Sequence, residues 1–142
     1  MEPLFKTILC PIDFDRVSLP AVEMVKKIAG RGEIKIYLMY VIPQATRREK
    51  PSADETRVAN DEMKSIAKKW FEGNAATEIV VREGDPAAEI IHAAKEFKAD
   101  LIVMATHGRT GVDHMLLGSV AERVVREARR PVLTVHPAPA KK

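Results

Sequence analysis

The sequence is poor in the residues that mark several protein classes, and each shortage removes one. It has a single cysteine, Cys10, so neither an intrachain disulfide nor a cysteine-based zinc site is open to it. Cys10 lies in the run Ile8-Leu9-Cys10-Pro11-Ile12 and reads as a small buried hydrophobe. Aromatic residues are 5% of the chain, too few for a base-stacking platform. Long hydrophobic runs are missing. Stretches such as Leu101-Ile102-Val103-Met104-Ala105 are strand-length, far short of the ~20 residues a membrane span needs. Met1 to Ile12 carries Glu2, Pro3 and Lys6 with no apolar leader core, so the expected location is the cytoplasm. Charge of one sign is not in large excess either: the formal net charge is +3. The basic clusters Arg47-Arg48 with Lys50, and Lys141-Lys142, read as a solvated loop and tail. Neither nucleic acid nor membrane is an expected partner.

What is present is a regular alternation. The length of 142 residues suits one domain, 1–142, with residues 137–142 as a disordered tail. Apolar runs at about 7–12, 34–42, 77–82, 100–105 and 132–136 read as strands covered on both faces. Between them lie helix-period segments at about 16–29, 53–71, 86–97 and 118–129. Ala21, Val22, Val25, Ile28 and Ala29 line one helical face. Ala59, Met63, Ile66, Ala67 and Trp70 line the next, and Ala87, Ile90, Ile91, Ala94 and Phe97 a third. Ser52 or Asp54 can cap the second helix. Asp85 with Pro86 starts the third, as N-cap and first helical residue. This βαβαβαβαβ pattern predicts the α/β class, a single open parallel five-stranded sheet with helices on both faces and right-handed crossovers.

In such a sheet, ligands bind outside the carboxyl ends of the strands where strand order reverses. Asp13 follows the first strand, and Ala105-Thr106-His107-Gly108-Arg109-Thr110-Gly111 follows the fourth. Gly108 and Gly111 let main-chain amides approach a ligand closely. Gly118-Ser119 opens a helix whose first amides are unpaired and partly positive. Together these features describe a phosphate site, to which Ser119 adds a hydroxyl and Arg109 a charge. Asp13 is the candidate magnesium ligand or ribose partner, hard cations preferring carboxylate oxygen; its plain alternative is capping of the first helix. Neither a Gly-Lys-Ser/Thr P-loop ending nor Gly-x-Gly-x-x-Gly after the first strand occurs.

Met104-Ala105-Thr106-His107-Gly108-Arg109-Thr110-Gly111, followed by Leu116-Leu117-Gly118-Ser119-Val120-Ala121-Glu122, resembles the signature of the universal stress protein family. Pro11-Ile12-Asp13 and Arg130-Pro131-Val132-Leu133-Thr134-Val135 fit it as well. The ATP-binding members carry Gly-x2-Gly-x9-Gly-Ser/Thr. Here that register falls on Ala105, Gly108 and Gly118-Ser119, so alanine replaces the first glycine. Its methyl group would crowd a phosphate or ribose, or strain a position needing positive φ, and weaken binding. The resemblance implies a Rossmann-like sheet of order 3-2-1-4-5. It implies that Pro11, Asp13 and Val41 frame adenine and ribose. Met104, Ala105, His107, Gly108 and Arg109 would line the ribose-phosphate path, and Gly118, Ser119 and Val120 would hold the phosphates of ATP. It also implies a homodimer through the last strand, about Val132–His136, and a regulatory role toward an unknown protein partner. The alternative is a nucleotide-free dimeric interaction protein of the same family, which Ala105 favours.

No catalytic set emerges. His107 and His114 are seven apart in one loop, His92 sits among helical alanines as a core or rim residue, and His136 is near the end. No second carboxylate is placed beside Asp13. At most, slow hydrolysis of bound ATP is compatible with magnesium and amide donors at the phosphates.

Overall fold

The alternation resolves into β1 (Thr7–Pro11), α1 (Leu19–Ala29), β2 (Lys35–Pro43), α2 (Ala53–Phe71), β3 (Thr77–Gly84), α3 (Pro86–Glu96), β4 (Leu101–Ala105), α4 (Ser119–Glu127) and β5 (Val132–Val135). The structure, a computed structural model, describes residues 4–13, 18–30, 34–43, 53–74, 76–106 and 117–136. The tail expected at 137–142 lies outside them.

The strands form one sheet of order β3-β2-β1-β4-β5, every neighbouring pair parallel. The order expected from the family resemblance is therefore met. Strand order reverses between β1 and β4. From β1 the chain crosses to β2 on one side, and from β4 it crosses to β5 on the other. Opposed crossovers leave a crevice at the carboxyl ends of these two central strands, the switch point of an open α/β sheet.

Alternate strand residues feed two cores. On one face Ile8, Cys10, Ile36, Leu38, Leu101 and Val103 pack with Ala21, Val22 and Val25 of α1 and Met63 of α2. On the other, Leu9, Met39, Val41, Ile102 and Met104 pack with Ala87, Ile90, Ala93 and Ala94 of α3 and with Ala121 and Val124 of α4. Ile8, Leu9, Cys10, Ile102 and Val103 are wholly buried, as strands covered twice require. Each such large side chain contributes about 1.5–3 kcal/mol through burial. Cys10 fits this picture: burial pushes its thiol from 9.0 to about 12, which keeps it neutral and unreactive.

Several boundaries differ from expectation, each for a local reason. The first helix starts at Leu19 instead of near Arg16, with Ser18 as N-cap and Pro20 in the first turn. Proline lacks an N–H and is tolerated only there. Asp54 is not a cap but lies inside the first turn of α2, 3.7 Å from Arg57; Ser52 falls outside the described residues. The third strand continues to Gly84 because its ladder with β2 runs on to Pro43. The last helix stops at Glu127 because Arg129 adopts φ 54, a left-handed conformation that cannot continue a helix. Asp100 is not part of β4. Its carboxylate accepts from the amides of Lys6 at 2.9 Å and Thr7 at 3.0 Å, pinning the start of β1 to the start of β4.

Candidate functional site

Pro11 closes β1 opposite Met39, at the strand end where a missing amide donor does least harm. The next amide, of Ile12, still donates to the Met39 carbonyl at 2.8 Å. Asp13 then leaves the sheet half-buried. Its amide donates to Ser18 Oγ at 2.8 Å. Asp13 is therefore not the N-cap of α1. Ser18 holds that place, and it turns its hydroxyl back onto Asp13 instead of onto its own helix. Ser18 is 5% exposed, so this contact fixes where the chain departs from β1. The sequence reading missed Ser18, although Pro20 marks the helix start and thus its cap.

On the neighbouring strand, Met104 is buried against the α3/α4 core and Ala105 is half-buried. Ala105 pairs with Val135 in the β4–β5 ladder. The positive-φ residues other than glycine, among those described, are Lys98 and Arg129. Ala105 thus carries no left-handed strain, and only crowding by its methyl group survives as a cost. Val41, on β2, is buried in the same core as Met104.

Gly118 is the N-cap of α4, with φ −70 and ψ 167. Any residue can adopt that extended conformation. What glycine supplies here is the absence of a side chain: Gly118 brings no capping oxygen of its own. The Gly118 amide donates to the Thr106 carbonyl at 2.6 Å. The first intrahelical bond runs from the Glu122 amide to the Gly118 carbonyl, 2.9 Å. The amides of Ser119, Val120 and Ala121 precede it and point out of the helix start. Ser119 is exposed and Val120 half-buried against the α3/α4 core.

Two of the site segments named from sequence, Pro11–Asp13 and Met104–Ala105, thus end the two strands at the switch point, and Gly118–Val120 opens the helix that follows β4. His107, Gly108 and Arg109 lie outside the described residues, as does His114. His92 is exposed on α3, which corrects the expectation of a core or rim position. His136, just after β5, is exposed. Among the described residues no three His, Cys, Asp or Glu side chains gather as a metal cage. No helix among the described residues is long and apolar enough to cross a membrane.

The comparisons with known proteins agree with this architecture. Residues 4–136 match the Universal stress protein family. The chain belongs to that family. The universal stress protein MJ0531 of Methanocaldococcus jannaschii is 37% identical, over 94% of this chain and 84% of its own length. Among solved structures, that of the M. jannaschii protein MJ0577 superposes with a TM-score of 0.84 at 29% identity, covering 96% of this chain and 99% of its own. A universal stress protein solved in complex with cAMP superposes with a TM-score of 0.70 at 27% identity, covering 93% and 97%.

Proposed function

We propose that this universal stress protein binds ATP, with magnesium, at the carboxyl ends of β1 and β4 and acts in the cytoplasm as a homodimeric regulatory module. The observation that carries the reading is the side-chain-free helix start at Gly118, in a conformation that does not itself require glycine. A phosphate placed there meets the amides of Ser119 and Val120, with His107, Gly108 and Arg109 contributing from the loop after β4. Pro11, Asp13 and Val41 then frame the adenosine, with Met104 and Ala105 beside them. The relative solved with cAMP supports an adenine nucleotide as the ligand class.

Magnitudes require the whole set. A helix terminus supplies about 0.3–2 kcal/mol, whereas micromolar affinity needs about 8 kcal/mol. The base pocket and metal must supply the rest. Asp13 would hold the magnesium, which supplies charge neutralisation at the phosphates. Among the described residues none is placed to activate a water, and turnover beyond slow hydrolysis is not part of the reading. Titration of the purified protein with labelled ATP and magnesium tests it. Saturable binding that Gly118→Val abolishes supports the reading, and no saturation up to millimolar ATP sinks it.

For the dimer, the support is the edge strand. The Pro131 and Val135 carbonyls accept from Ile102 and Thr106 in and after β4. The backbone groups of Val132 and Thr134, one residue out of phase, therefore point away from β4, toward the place where a second copy would add a strand. Thr134→Pro deletes one outward donor without removing a bond to β4. It is expected to shift sedimentation from dimer to monomer.

One observation favours a second reading, a nucleotide-free interaction protein: Ala105 puts a methyl group where the family's ATP-binding pattern has glycine. Mass spectrometry of whatever co-purifies with the protein, prepared without added nucleotide, separates the two.

A further inference from the structure

Thr106 was quoted from sequence within the segment after the fourth strand but given no role, yet contacts from β5, α4 and His136 meet on it. It is the first residue after β4 and is wholly buried. Its amide donates to the carbonyl of Val135, the last residue of β5, at 3.1 Å. Its carbonyl accepts from the amide of Gly118, the N-cap of α4, at 2.6 Å. Its hydroxyl lies 3.4 Å from Nδ1 of His136, the residue after β5. One residue therefore joins the end of the edge strand to the start of the helix.

We propose that Thr106 is a positioning residue that sets the N-terminus of α4 from the end of β5, and so tunes anion binding by the first-turn amides. The reasoning is geometric. The Ser119 and Val120 amides point where the N-cap residue directs them, and the N-cap is held by the Thr106 carbonyl. The Thr106 main chain is held in turn by Val135, and its side chain by His136. A shift in the end of β5 moves Thr106 as part of the same ladder, and Gly118 follows. Anion binding at α4 and the placement of β5 then influence each other reciprocally, as linked equilibria must. This inference rests on the phosphate site proposed above for its ligand, but not for the mechanical link.

The test uses the full chain with three substitutions: Thr106→Val, which keeps shape and main-chain bonds but loses the hydroxyl; Thr106→Ser, which keeps the hydroxyl; and His136→Ala, at an exposed position whose loss leaves the core intact. Amide hydrogen exchange of Gly118 is measured by NMR in the nucleotide-free protein, followed by titration with magnesium ATP. Thr106→Val and His136→Ala are expected to speed Gly118 exchange about fivefold and to weaken ATP about three- to tenfold, with α2 amides unchanged. Thr106→Ser is expected to match the parent in both. Unchanged Gly118 exchange in His136→Ala, or a serine variant that behaves like the valine one, overturns the proposal. Should exchange respond as expected while the parent chain fails to bind ATP, the link stands and the nucleotide reading falls.

Discussion

α3 and α4 pack side by side on one face of the sheet, and their N-termini are built in opposite ways. The start of α3 is closed by its own chain. Asp85 is the N-cap, and its carboxylate accepts from the Ala88 amide at 3.0 Å and from Arg123 of α4 at 2.6 Å. Pro86 fills the first helical position and removes one of the orphan donors outright. At the start of α4, Gly118 brings no side chain with which to close it. The glycines differ too. Gly84, before α3, has φ +138, a region that side-chain-bearing residues rarely enter. Gly118 has an ordinary backbone. One glycine answers a demand of the turn, and the other supplies a helix start without a side chain. The contrast teaches that a helix start carrying its own carboxylate is a structural joint, while one stripped of side chain is available to an external anion. Arg123 fastens the two helices: its hydrogen bond to Glu127, and then its attraction to Asp85 and Glu127, raise its pKa above its ordinary value.

The largest test of this contrast is to close the open end. Gly118→Asp places a carboxylate cap on α4 and sets a like charge against a phosphate. ATP affinity is expected to fall at least about 100-fold, or about 2.8 kcal/mol, while stability rises by a few tenths of a kcal/mol. Titration and thermal unfolding read the two effects, and retained affinity would break the comparison. The glycines come next. Gly84→Ala is expected to cost about 1–3 kcal/mol in chemical denaturation, because positive φ is strained for alanine. Its new Cβ would also lie 3.1 Å from Glu89 Oε1. Gly118→Ala should cost less, about 0.5–1 kcal/mol, because alanine is a poorer N-cap than glycine but meets no backbone strain there. Equal losses at both positions would erase the distinction. Opening the closed end is a smaller change. Asp85→Ala should remove about 1 kcal/mol of stability and leave ATP affinity within about twofold. A tenfold loss of affinity would show that the start of α3 belongs to the ligand site as well. The smallest effect is expected at Ala105→Gly, which clears a methyl group beside the ribose-phosphate path and should tighten ATP about two- to fivefold, under about 1 kcal/mol. No change would mean that Ala105 crowds nothing.

Much of the fold was legible because its signals are local. Continuous apolar runs such as Ile8 to Ile12 and Leu101 to Ala105 announce strands covered on both faces. The spacing of Ala59, Met63, Ile66, Ala67 and Trp70 announces a helix, with Ala59 and Met63 buried and the others half-buried on the same core. Asp85-Pro86 was readable as a helix start and caps as expected. Pro20 carried the start of α1 just as plainly, since proline belongs in a first turn, and weighing it would have moved the helix from Arg16 to Leu19. Of the site, the ends of β1 and β4 and the Gly118-Ser119 start could be named from the chain alone. Ser18 could not, and neither could the part that Thr106 plays. Their importance comes from partners brought close by folding, the Asp13 amide for one, and Gly118, Val135 and His136 for the other.

The sequence by itself determined which segments become strands and helices, and where a helix start lacks a cap, because these follow from periodicity and from the chemistry of single residues. Only the tertiary structure decided that Thr106 binds β5 to α4, that Asp85 of one helix takes the arginine of another, and that Ala105 sits without backbone strain. Those outcomes depend on distances between residues far apart in the chain, which are set when two cores close on a parallel sheet and which no local pattern encodes.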